Sequence, residues 1–155
     1  PSGFTTQIAG IDIYENEVEE AWPPQSVTLR LADEYDLSRG DMIVRKNNLP
    51  KIGQDLEVML CWFNEKPLAL RGKYTLMHTT KAIRCMVKEI RYKLDINTLH
   101  RNEEETQINM NDICRVVIRT TQPLFYDSYR QNRITGSLIL VDEATNETVA
   151  AGMII

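Results

Sequence analysis

The sequence predicts an all-β fold built on a barrel, and three observations carry that expectation. Apolar residues recur with a period of two rather than 3.6. No segment holds a helical stripe longer than a turn or two. One long strand-like run changes parity midway, the mark of a bulge that bends a strand around a barrel. With 155 residues, 43% of them hydrophobic, the chain can fill one ordinary domain or two small ones.

Taken in order, residues 4–14, 26–32 and 42–45 read as three short strands. In SVTLRLA, Val27, Leu29 and Leu31 alternate with Thr28 and Arg30. Between the first two strands, ENEVEEAW reads as a short turn that Pro23 and Pro24 end. The cluster NNLPKIG at 47–53 is the best domain boundary, because Asn, Pro and Gly gather there between two strand patterns. It divides the chain into 1–46 and 47–155. The first piece could bury one face of three strands only against something else, so it reads as the end of a barrel that begins outside this sequence.

Beyond the boundary, DLEVMLCW places Leu56, Val58, Leu60 and Trp62 on one face. In KAIRCMVKEIRYKLDI, Ile83, Cys85 and Val87 face one way, then the apolar set resumes at Ile90, Tyr92 and Leu94. The slip falls at Lys88 and Glu89, where a bulge would absorb it. Residues 97–112 form a long polar connector. Cys114, Val116 and Ile118 then point inward, with Arg115, Val117 and Arg119 opposite. Two apolar runs, 137–141 and 149–155, flank the polar DEATNE and form a closing hairpin.

Several function classes are excluded at this level. No run of about 18 apolar residues is present to span a membrane. The net charge of −4 argues against a dedicated nucleic-acid binder, since neutralising phosphates needs an excess of cations. Cys61, Cys85 and Cys114 lie far apart in apolar runs and read as buried free thiols in a reducing cytoplasm. His78 reads as a strand residue and His100 as a solvated loop residue; neither has a partner at metal-ligand spacing. Nucleophile-elbow, dinucleotide and P-loop patterns are missing; LRGKYT has Gly-Lys without the upstream Gly. The runs ENEVEE and NEEET read as solvated faces. Arg84, Lys88, Arg91 and Lys93 form either a basic ribbon able to meet RNA or the ordinary polar side of a barrel strand.

Specific strings carry a family resemblance. VTLRLADEYDLSRGDMIV resembles the end of the second domain of elongation factor Tu-like GTPases, and LSRGDMIV is typical of the large, GTPase-bearing subunit of bacterial sulfate adenylyltransferase. IRYKLDINTL and PLFYDSYRQNRITGSLILVDEATNETVAAGMI are similar to that subunit's third domain. The long ending ITGSLILVDEATNETV favours this branch over a translation factor. The PPQS turn at 23–26 departs from the family, which has small residues and Gly there.

The resemblance implies a partial second-domain barrel followed by a complete Greek-key third-domain barrel. It implies no catalytic, cofactor or metal site within these residues. GTP and Mg would sit in a GTPase domain absent from this sequence. The intact enzyme would make adenylyl sulfate and pyrophosphate from ATP and sulfate in the cytoplasm. These barrels would dock the small catalytic subunit and the chain's own GTPase domain. The alternative is a translation-factor-like module that binds tRNA or other RNA. Open strand edges in 1–46 would also allow a homodimer. The candidate contact residues are Tyr129, Arg130 and Arg133 in YDSYRQNR, because aromatics and arginines anchor interfaces. Tyr126 reads equally well as core, and Asp127 with its neighbours as a barrel-end cap.

Overall fold

A computed structural model describes residues 3–155, and every regular element among them is a strand. Two compact units result, Pro1–Ser38 and Arg39–Ile155; the sequence pattern divides the chain at 46/47.

In the first unit, β1 (Ile8–Ile13), β2 (Asn16–Val18) and β3 (Thr28–Leu31) form an antiparallel sheet in the order β2-β1-β3. The acidic stretch expected to be a turn supplies β2 instead. The reversal falls just upstream, where Tyr14 takes a φ of 55°, and Ile11 then faces Val18. Arg30 ties the three strands together through Asp12 at 2.9 Å and Glu17 at 2.6 Å. The PPQS turn contains a cis Pro23–Pro24 bond and is closed by the Gln25 amide donating to Trp22 O. The strand expected at 42–45 does not form. Its Ile43 is 58% exposed and no neighbouring strand offers a ladder, without which a short apolar run has no reason to extend.

The second unit holds β4 (Lys51–Trp62), β5 (Lys73–His78), β6 (Lys81–Leu94), β7 (Arg101–Asn102), β8 (Ile113–Tyr126), β9 (Ser137–Val141) and β10 (Thr148–Ile154). The strand order is β5-β9-β10-β4-β8-β6, and β6 pairs back onto β5. Six antiparallel strands thus close a barrel, with β7 added beside β6. Because β5, β6 and β8 are successive neighbours and β4 returns beside β8, the connection is a Greek key.

The inward set is the one that alternation marks. Leu56, Val58 and Leu60 are fully buried, and Trp62 is 2% exposed. The β6–β8 register shifts between Val87 and Glu89, where the sequence changes parity, and again between Ile90 and Tyr92. The final hairpin seals the barrel by pairing β10 with both β9 and β4. Asp142 holds its connector, accepting the Ala144 and Thr145 amides at 2.8 and 3.0 Å. Gly152 is required there: a Cβ would lie 2.6 Å from Val58 Cγ1.

Two further expectations need correction. Cys61 is half-buried rather than buried, because Leu60 and Trp62 point inward and parity turns Cys61 out. The connector at 97–112 is not simply polar: it contributes β7, and its Ile108 is fully buried, with its carbonyl accepting from Leu68 N at 2.9 Å.

Candidate functional site

Chemistry that could hold a ligand is scarce. Among the described residues no group of three or more His, Cys, Asp or Glu side chains could hold a metal ion. The RGK turn is closed by its own backbone, with Arg71 N donating to Val87 O and Gly72 N to Ala69 O, so those amides are not free to cradle phosphate. Nor does any helix of the described residues have the length and apolarity to cross a membrane.

The four cations of the β6 ribbon are all engaged. Arg84 pairs with Glu143 at 3.1 Å, Lys88 with Asp55 at 3.1 Å, and Arg91 with Glu89 at 2.6 Å. Lys93 lies between Glu105 at 2.8 Å and Asp112 at 2.9 Å. RNA affinity comes from cations that can exchange counterions for phosphate. Here each cation has a carboxylate neighbour, the arrangement ordinary to the polar side of a barrel strand.

Within this network Glu57 accepts from Arg115 at 2.9 Å. That hydrogen bond, helped by the charges of Arg115 and Arg91 and opposed by burial, holds its carboxyl below its ordinary value of 4.5. A lowered folded-state value means stability present above the unfolded value and lost as pH falls through the folded one. Thermal melts should therefore show part of the acid destabilisation below pH 4.5 disappearing in Glu57→Gln, by less than about 1 kcal/mol because solvent reaches and screens this half-buried pair. Identical acid profiles would remove Glu57 from the account.

The segment from Tyr126 to Gly136 is built differently. It leaves β8 and returns to β9 as a loop fastened at several points. The Tyr129 amide donates to Ile154 O at 2.8 Å, and the Ile154 amide to Gly136 O at 2.8 Å. Thr135 Oγ1 donates to Asp127 Oδ2 at 2.6 Å. His78, 1% exposed, reaches Thr135 O at 2.7 Å through Nε2. That carbonyl can only accept, so Nε2 carries the proton. His78 is thus a strand-end residue that anchors the loop, and His100 is exposed.

The sequence-predicted contact residues fall on this loop with distinct fates. Tyr126 packs against the core. Asp127 is taken up inside the loop by Thr135. Tyr129 is half-buried, while Arg130 and Arg133 are exposed and enter no ion pair among the described residues. Tyr129 and Ile134 border a groove of about 610 Å3 on the outer face of the barrel. Sequence reasoning passed over Ile134, 77% exposed, although an isolated Ile in so polar a loop was a usable signal.

The strand order and the return of β6 onto β5 define a closed, six-stranded antiparallel barrel. Residues 55–155 match the family model described as GTP-eEF1A C-terminal domain-like, and the chain belongs to that family. Over its whole length it is 45% identical to a bifunctional enzyme CysN/CysC of Mycobacterium tuberculosis (strain ATCC 25618 / H37Rv), covering 25% of that protein. It is 42% identical to sulfate adenylyltransferase subunit 1 of Bacteroides fragilis (strain YCH46), covering 32% of it. The chain thus spans about a quarter to a third of these curated relatives. A crystal structure of sup35 complexed with GMPPNP shares the fold, with a TM-score of 0.85 over 100% of this chain and 38% of that one, at 17% identity.

Proposed function

We propose that this chain is the barrel portion of a sulfate adenylyltransferase subunit 1 and serves sulfate assimilation. The observation that carries this is the 42–45% identity to such proteins along the entire chain. In this reading the intact enzyme converts ATP and sulfate to adenylyl sulfate and pyrophosphate in the cytoplasm. GTP and Mg act in a GTPase domain outside residues 1–155. The barrel docks the small catalytic subunit and relays the state of the GTPase domain to it, which requires different contacts in two states. The loop residues Tyr129, Arg130 and Arg133 form the contact. Within the first unit β2 and β3 are the outer strands of the sheet among the described residues, which supports pairing with a further chain.

The test is made in the intact enzyme. Replacing Arg130 and Arg133 together with Ala should weaken small-subunit affinity at least about tenfold, the effect of one modest interface anchor. GTP-stimulated adenylyl transfer should fall with it. If both stay unchanged, the loop is a barrel cap and not a contact.

A further inference from the structure

The outer face of a barrel strand in water is ordinarily polar, and the first half of β4 obeys this with Asp55 and Glu57 pointing out. The second half does not: the next outward residues are Met59 and Cys61. The strand registers show that this is no local lapse. Ile113 faces Cys61, Cys61 faces Ala151, Ala151 faces Ile139, and Ile139 faces Met77. One apolar row therefore crosses five strands on the outside of the barrel. Beside it Met59 faces Met153. Met77 and Met153 remain 44% and 43% exposed.

A continuous apolar row on the outside of a barrel strand is a candidate contact surface. Methionines suit such a surface because their flexible thioethers adapt to the shape of what covers them. The groove over this band is bordered by Tyr129 and Ile134, and each is followed or preceded by an unpaired arginine, Arg130 and Arg133. On the strands nearby the arginines are neutralised: Arg84, Arg91, Arg115 and Arg119 all sit in ion pairs. Arg130 and Arg133, next in sequence to the lining residues Tyr129 and Ile134, are exposed and enter no ion pair among the described residues, so a carboxylate is the group that would complement them.

We infer that this groove takes a segment of a protein partner whose apolar side chains lie on the Met77–Ile113 row while a carboxylate meets Arg130 and Arg133. The inference rests on the docking reading above and adds to it the place and the chemistry of the occupant. A nucleic acid is disfavoured, because its phosphates would meet a mostly apolar lining in which only Thr79 and Ser137 carry polar side chains besides the Tyr129 hydroxyl.

Cys61 supplies the readout, since it lies in the floor of the groove. Burial pushes the thiols of Cys85 and Cys114 up to about 12, which leaves them unreactive toward N-ethylmaleimide near neutral pH. The rate of Cys61 modification in the 155-residue chain is followed by mass spectrometry, alone and with two kinds of probe. One is the small subunit of sulfate adenylyltransferase. The other is a peptide of alternating Leu and Asp, with a control in which Lys replaces Asp. The small subunit and the acidic peptide should each slow modification at least about fivefold, and the lysine peptide should not. Ile134→Asp, at an exposed position that does not endanger folding, should restore the rate, as should Arg130→Glu with Arg133→Glu.

If the small subunit co-elutes with the chain but leaves the Cys61 rate unchanged, the groove inference falls and the docking reading stands. If it neither co-elutes nor protects while the acidic peptide does protect, the docking reading falls and the groove inference stands. Equal protection by the lysine peptide, or protection that grows only with the chain's own concentration, overturns the inference. So does protection by neither probe.

Discussion

Trp62→Ala should lower the stability of the barrel by about 3–5 kcal/mol, the range for deleting a buried Trp side chain. The indole is 2% exposed and meets Tyr74 edge-on, with ring centroids 5.7 Å apart and planes at 73°. Its Nε1–H donates to Lys66 O at 2.8 Å. The backbone at the same residue is also a junction: Trp62 N donates to Asp112 O and Asn111 N to Trp62 O. The side chain thus fills the end of the core just where the 97–112 connector returns to the sheet. Truncation leaves a cavity that these backbone bonds prevent from collapsing, which places the cost in the upper part of the range. A domain of this size has only about 5–15 kcal/mol in total. Urea denaturation followed by circular dichroism should show a lower midpoint at unchanged slope. Trp62→Phe should recover most of the loss, since it keeps an aromatic body and gives up the indole donor. A loss below about 1 kcal/mol for the alanine variant would mean that this end of the barrel does not pack on Trp62.

The inward half of the fold was legible because alternation is a direct image of a half-buried strand. Leu56 to Trp62 and Cys114 to Ile118 fall inside, and the slip at Lys88–Glu89 coincides with a register shift. The same periodicity marks Cys61 as an outward residue, against the usual burial of free cysteine. Ile108 was missed for a different reason. A single apolar residue in a polar connector has no period, and only its bond to Leu68 across the barrel end reveals its role. The strand expected at 42–45 failed because an apolar run specifies a strand only when a neighbour is there to pair with it. The loop that holds Tyr129, Arg130 and Arg133 was visible as residue types, since YDSYRQNR combines aromatics and arginines. Its construction was not. The bonds of Tyr129 and Gly136 to Ile154 join residues far apart in sequence. The apolar row from Ile113 to Met77 exists only once five strands have their registers.

Gly136→Ala should detach that loop while leaving the barrel folded. A Cβ at position 136 would lie 2.4 Å from both the Cα and the N of Tyr129, and 2.7 Å from Asn132 O. All three are backbone atoms, so no side-chain rotation can relieve the clash. Gly136 itself cannot retreat, because its carbonyl accepts the Ile154 amide at 2.8 Å as β10 ends. Tyr129 is the group that must move, and moving it breaks the 2.8 Å bond from its amide to Ile154 O. Forcing an extra methyl into packed structure costs about 1–3 kcal/mol, and the rigid partners place this case near 3 kcal/mol. The loss should be local. In hydrogen exchange the Tyr129 amide should lose its protection, whereas Val58 and Leu60, deep in β4, should lose far less. On the docking proposal, small-subunit binding by the intact enzyme should weaken at least as much as in the Arg130→Ala, Arg133→Ala double variant, because the aromatic and both arginines are displaced together. Stability within about 0.5 kcal/mol of the parent, the range of an ordinary surface substitution, together with a still-protected Tyr129 amide, would show that the loop does not depend on the close approach at Gly136.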